Sequence, residues 1–235
     1  SNMNPDALAS FKAILESVVY YTVIDKIATN VTERTFASWC KDIRNIVTIE
    51  DLDRFVKGTL IPTVNDWKLD NKSNFLRLGL NSMQQYRIKF ILGKITAYVD
   101  ALRLGKTTVD DLTSYTQTAV EIEHIMPQTC ADKELYGMND EDFSVYINRL
   151  GNLTLLENSI NKSIHNDVYA NKSKAYKQSK FYLTSSLSEL VNQGHDTAIN
   201  RTNSLLFAWS DWNKRSIEER QEMLYRLSEM IWEMS

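Results

Sequence analysis

Glu123-His124-Ile125-Met126-Pro127-Gln128 is followed, one long loop later, by Gly151-Asn152-Leu153-Thr154-Leu155-Leu156 and then by Asn161. The residues leading into His124 alternate apolar and polar, so Val120 to Ile125 reads as a strand. Leu153 to Leu156 is a short apolar run and reads as a second strand. From Asn158 the pattern becomes helical and rich in lysine. A strand, a long loop, a strand and a helix therefore sit inside a chain whose other segments look helical. The expected fold class is α+β, mostly α-helical.

Seven glycines and three prolines in 235 residues favour long helices with few tight turns. Residues 5–28 carry Leu8, Phe11, Leu15, Val18, Val19, Thr22 and Val23 near a 3.6-residue period. Asn30-Val31-Thr32-Glu33 has the form of a helix start, running on through Phe36, Trp39, Ile43 and Ile46. Thr48 to Gly58 predicts a short helix, and the stretch around Ile61-Pro62 a looser connection. Tyr86 to Leu104 places Ile88, Ile91, Leu92, Ile95, Val99 and Leu102 on one face, with Gly105 as a stop. Ser216-Ile217-Glu218-Glu219 reads as a capping box opening a last helix with Met223, Leu224, Leu227, Met230 and Ile231 on its inner face. Tryptophans such as Trp209, Trp212 and Trp232 sit at helical spacings and are expected in the core. A helical domain over 4–115 and a second domain over 116–235 are expected.

Hydrophobic residues at 43% and charged residues at 24% describe an ordinary globular chain able to bury a core. No unbroken apolar run approaches the roughly 18 residues of a spanning helix, so no membrane partner is expected. Ser1-Asn2-Met3 reads as a remnant of tag removal and stays outside the fold reading. Two cysteines without CxxC spacing make a zinc ribbon and a disulfide framework unexpected, and point to a cytoplasmic setting. A net charge of −3 argues against a generic nucleic-acid coat. Between 148 and 180, however, six basic residues face two acidic ones, a local +4 that leaves −7 for the rest.

That basic stretch lies beside a set of residues suited to phosphodiester hydrolysis. The reaction needs a base for water, compensation of charge at phosphorus, and stabilisation of the departing oxygen. His124 suits the first role because an imidazole titrates near neutrality. A hard divalent ion, Mg2+ or alternatively Mn2+, suits the others and takes oxygen ligands, for which Glu123 and Asn161 are the candidates. Adjacent residues of a regular strand face opposite ways, so Glu121 rivals Glu123 as a ligand unless the strand ends or kinks before Pro127. Asn152 is expected to bond backbone across the loop and hold the imidazole. His165, four residues beyond Asn161, is a further candidate ligand or phosphate contact. Arg149, Lys162 and Lys172 are candidate phosphate contacts.

Glu-His-Ile-Met-Pro-Gln, then Leu150 to Leu156, then Asn161, Asn166, Tyr169, Lys172, Tyr176 and Ser179, resembles the C-terminal HNH domain of GmrSD-type, modification-dependent restriction proteins. The segment around Trp212, Ile217 and Arg220 is also similar, so the resemblance covers about residues 75–235. The nine-residue step from Asn152 to Asn161 resembles the HNH domain of CRISPR effector nucleases. These resemblances imply a ββα-metal module with Glu123 and Asn161 on the metal, His124 as general base and Asn152 structural. The acid is Glu where the latter pattern has Asp, one methylene longer.

The family's usual N-terminal, nucleotide-hydrolysing, ParB-like domain has no counterpart here, and it or a separate protein carrying it is the implied partner. The expected function is metal-dependent endonucleolytic cleavage of DNA, double-stranded and in this family modified. Two other classes compete with it: a non-catalytic DNA-binding or docking module that keeps the scaffold, and an RNA-directed nuclease. The absence of an aromatic RNA platform weighs against the last.

Overall fold

The computed structural model describes residues 2–109, 111–130 and 132–234. The chain divides into two compact units, residues 1–75 with 232–235, and residues 76–231. The fold is α+β and mostly helical, with one small two-stranded sheet.

The first unit is built from α1 (Pro5–Ile24), α2 (Thr29–Ile43), α3 (Ile49–Phe55), α4 (Ile61–Trp67) and α5 (Asn71–Phe75). Asn4 caps α1 through a bond from Ala7 N–H, with Pro5 at the first position. The buried side of α1 is Ala7, Ser17, Val18, Tyr20, Tyr21 and Ile24, whereas Leu15 and Val19 are exposed. Aromatic packing turns the helix away from its aliphatic stripe: Tyr20 stacks on Trp232 with centroids 4.1 Å apart, and Trp232 Nε1 donates to Glu16.

The hydropathy expectation needs a correction here. Averaged over 18 residues, α1 reaches a mean hydropathy of 1.4, so by length and composition it is long and apolar enough to cross a membrane. Only Lys12 and Glu16 carry charge between 7 and 24, and uncharged polar residues break the run without lowering the mean much. Core helices meet the same criterion.

Two helix starts also differ from expectation. α2 begins at Thr29 after Ala28, without a side-chain cap, so Asn30 lies inside the helix. The capping box of this unit belongs to Thr48 and Asp51 instead, at the head of α3. The stretch around Pro62 is not loose. A π-helical turn, Val56–Leu60, joins α3 to α4. Pro62 has no N–H and its ring crowds the carbonyl four residues back, so the ladder widens there and Ile61 N–H bonds Val56 C=O.

In the second unit α6 (Gln85–Arg103) buries Ile88, Ile91, Leu92, Ile95 and Val99. Gly105, at φ +72°, ends it with paired bonds from Gly105 N–H to Leu102 C=O and from Lys106 N–H to Ala101 C=O. After α7 (Thr113–Thr116), β1 (Val120–His124) runs antiparallel to β2 (Leu153–Glu157), with Val120 opposite Glu157 and His124 opposite Leu153. Between the strands lies α8 (Asp140–Tyr146). Beyond β2 come α9 (Asn158–Ile164), α10 (Tyr169–Tyr176), α11 (Tyr182–Ser185), α12 (Ala198–Asn203) and α13 (Lys214–Trp232). Asn213, not Ser216, heads α13: its side chain accepts from Ser216 N–H and its carbonyl from Ile217 N–H. Met230 is exposed, while Ile217, Met223, Leu224 and Leu227 are buried.

Asp100 on α6 accepts from Tyr182 N–H at 2.8 Å and from Tyr115 hydroxyl at 3.1 Å, tying α6 to α11 and α7. Burial outweighs these bonds and raises its carboxyl to about 6. A raised carboxyl disfavours the folded state once ionised. Stability it would otherwise have is thus lost as pH climbs from about 4 through 6. Asp100→Asn should match the parent in thermal melting near pH 4 and exceed it at pH 7.5, by about 1–3 kcal/mol. Gly58 has open space around its Cα, so Gly58→Ala should raise stability by about 0.5–1 kcal/mol in urea unfolding.

Candidate functional site

His124 closes β1, and the chain then turns through Met126-Pro127. Strand alternation puts Glu121 and Glu123 on one face of β1, and at His124, where the ladder ends, consecutive residues reach the same cavity. The helices after β2 supply the partners. Asn161 on α9 donates to Glu121 at 2.6 Å. Lys172 on α10 places its ammonium 2.6 Å from Glu123 Oε1 and 2.7 Å from the carbonyl oxygen of His124. Tyr176, one turn on, donates to the same Glu123 oxygen at 3.0 Å. The Lys172 side chain is 2% exposed and that of Glu123 9%. Lys172 is therefore a buried counterion of Glu123, and it also lines the cavity described below.

The imidazole of His124 is buried, with the Gln128 amide 2.7 Å from Nδ1. Burial lowers its pKa below the ordinary histidine value. A hydrogen bond with the Asn148 side chain opposes that shift, and the Lys172 charge adds to it. The ring is thereby kept neutral at pH 7. Ile122, Glu123, His124, Gln128, Asn161, Lys162, His165, Asn166 and Lys172 line one open cavity of about 280 Å³.

Asn166 closes one side of the cavity. It accepts from Gln128 N–H at 2.7 Å and donates to the Thr129 carbonyl at 2.9 Å, which clasps the turn after His124. His165, the cap of α9, has φ 45° and ψ −142°, an unusual conformation for a residue with a Cβ. It and Lys162 are exposed at the rim.

Asn152 is wholly buried behind the site. Its Oδ1 accepts from Met126 N–H at 2.8 Å and from Trp212 Nε1 at 2.9 Å, and its Nδ2 donates to the Ile147 carbonyl at 2.8 Å. Its own carbonyl accepts from Ile125 N–H. Asn152 thus bonds the backbone on both sides of the loop and does not touch the ring directly. The turn carrying it is gripped by α13. Arg220, fully buried, gives Nη1 to the carbonyls of Gly151 and Leu153, and Gln221 accepts from Gly151 N–H. A Cβ at Gly151 would collide with the Ile217 carbonyl, which explains the glycine. Burial lowers the Arg220 guanidinium to about 9, still charged at neutral pH, and its Nε and Nη2 have no partner among the described residues.

The structure thus brings His124, Glu123, Asn161 and His165 to one cavity and seats Asn152 behind it, while Arg149 stacks over Tyr146, 4.1 Å from the ring centroid. Gln128, Asn148, Asn166 and Trp212 were not anticipated in these contacts. Gln128, Asn166 and Trp212 stand in the segments that carry the family resemblance, and the tryptophan carried a physical signal as well, since an indole N–H in a core needs an acceptor. Among the described residues no three His, Cys, Asp or Glu side chains converge as metal ligands. The donors at the cavity are carboxylate and amide oxygens plus imidazole, a set that fits a hard divalent cation keeping most of its waters.

A family model described as GmrSD restriction endonucleases, C-terminal domain, matches residues 65–227. No curated protein and no solved structure matches the chain.

Asn152→Ala would strand Met126 N–H, Trp212 Nε1–H and the Ile147 carbonyl in the core. At about 1–3 kcal/mol for each buried group left without a partner, urea unfolding should show a loss of at least ~3 kcal/mol. Trp212→Phe, which removes one of these bonds and keeps most of the packing, should cost about 1–2 kcal/mol.

Proposed function

The chain belongs to the GmrSD restriction endonuclease C-terminal domain family, and on that premise, which makes it a nuclease domain acting on DNA, we propose that it is an HNH-type, metal-dependent endonuclease. The observation that carries this reading is the shared cavity at the end of the strand pair, where His124, Asn161 and His165 meet beside Glu123. In it β1, β2 and α9 act as a ββα-metal module.

His124 accepts the proton of the attacking water on Nε2, a role supported by its buried imidazole; it requires the Gln128 amide to turn its oxygen toward Nδ1–H, so that the Nε2 lone pair is free. Asn152 holds the turn on which His124 stands, so the ring meets the phosphate at a fixed place. Glu123 and Asn161 would hold the divalent ion, Mg2+ or Mn2+, which when bound supplies charge compensation at phosphorus. Glu121 orients Asn161 through its bond to Nδ2. Lys162 and His165, exposed at the rim, take the phosphates flanking the cut.

The setting is cytoplasmic. The duplex is recognised, with any base modification, through a nucleotide-hydrolysing ParB-like domain on the same or another chain.

Nicking of supercoiled plasmid in Mg2+ or Mn2+ tests the mechanism. His124→Ala should lower the rate at least a hundredfold, on the order of what general-base catalysis contributes, and chelation should abolish cleavage. Equal nicking by His124→Ala would overturn the assignment.

A further inference from the structure

We propose that the buried Lys172–Glu123–Tyr176 cluster is the positioning element of His124, with Lys172 as its centre. The inference rests on the reading of His124 as the proton acceptor and adds three residues that act through it. Lys172 is the only one of the six basic residues between 148 and 180 whose charge is enclosed by protein, and it bonds two consecutive residues of β1. One bond is to the carboxylate of Glu123 and the other to the backbone carbonyl of His124, so a single ammonium fixes the peptide from which the imidazole projects.

The position of these bonds matters. Ladder pairing with β2 ends at His124 opposite Leu153, and the next residues turn away toward Pro127. A strand end is where a backbone is least constrained, and an error of about 1 Å in a reacting group can cost a hundredfold in rate. Lys172 and the Asn152 carbonyl, which takes Ile125 N–H, hold that end from two sides. Tyr176 fastens Glu123 in turn, so the carboxylate cannot swing away from the ammonium.

Stability alone does not account for the arrangement. Burying two charges costs several kcal/mol each before their attraction returns any of it, and apolar residues of similar volume often fill such a space equally well. The second bond, to His124, is what an apolar pair could not supply.

The test is Glu123→Gln/Lys172→Met, which removes both charges together and leaves no unpaired ion in the core. Circular dichroism melting establishes that the double variant folds. The ring Cε1–H NMR signal of His124, assigned by deletion among the three histidines, is then compared with the parent in the absence of divalent metal, and nicking kinetics are measured on Tyr176→Phe, which keeps the proposed metal ligand Glu123. We expect the His124 signal of the double variant to shift and broaden, and the kcat of Tyr176→Phe to fall by about tenfold with KM unchanged.

A folded double variant whose His124 signal stays where it was overturns the proposal. If nicking by the parent does not depend on His124, the catalytic reading fails, and the ring signal still decides whether the cluster positions the residue. Should the double variant not fold, Tyr176→Phe replaces it. That variant leaves the ion pair in place and should move the same signal by a smaller amount, and an unmoved signal there overturns the proposal equally.

Discussion

The side-chain oxygen of Asn152 accepts two hydrogen bonds in a place without solvent, one from the backbone after His124 and one from the indole of Trp212. An amide carries its two-bond acceptor and its donor on separate atoms, and Asn152 uses the donor on Ile147. Three segments far apart in sequence are thereby held to one point: the turn beyond β1, the end of α8, and the approach to α13. That anchorage sits at the end of the β1–β2 ladder, next to His124.

Charge burial does the rest. Among the described residues the second unit encloses two cations, Lys172 and Arg220, and uses both on the backbone around the site. Lys172 bonds the His124 carbonyl at the end of β1, and Arg220 bonds the carbonyls that flank Asn152 at the start of β2. A cation is suited to this work because a carbonyl at a strand end has lost its ladder partner, and a charged donor makes the stronger bond in a low-dielectric interior. Lys172 has a carboxylate beside it. Arg220 is stabilised by the carbonyls it bonds, and its Nε and Nη2 have no partner among the described residues.

Much of the architecture was legible in the residues. The two strands lie within a residue of their expected limits, and α6 buries the stripe its period marked, because a 3.6-residue repeat of aliphatics has one low-energy way to be covered. Helix ends were read less well. Asn30 and Ser216 both have the form of a cap, yet α2 and α13 start earlier, since a cap residue inside a helix forfeits only a local bond that packing outweighs. The stretch around Ile61-Pro62 reads as a looser connection and is helical, because the turn before the proline, Val56–Leu60, widens instead of ending. The inner side of α1 was misjudged for a different reason. A period shows which residues could face inward, and aromatic partners such as Trp232 decide which do.

At the site, the residues by themselves determined which chemical groups are present and near which strand, because histidine, carboxylate and amide side chains have few other uses at such spacing. They also pointed to Asn152 as a bridge across the loop, since two of its side-chain partners, Met126 N–H and the Ile147 carbonyl, are backbone groups that any sequence offers. Only the tertiary structure decided where the charges go. Whether a lysine meets water or a carboxylate depends on what stands 48 or 49 residues away across the fold, and local patterning holds no record of that distance. Lys162 and Lys172 look alike in the sequence. Lys162 on α9 is exposed, and Lys172 on α10 is buried against the Glu123 carboxylate of β1.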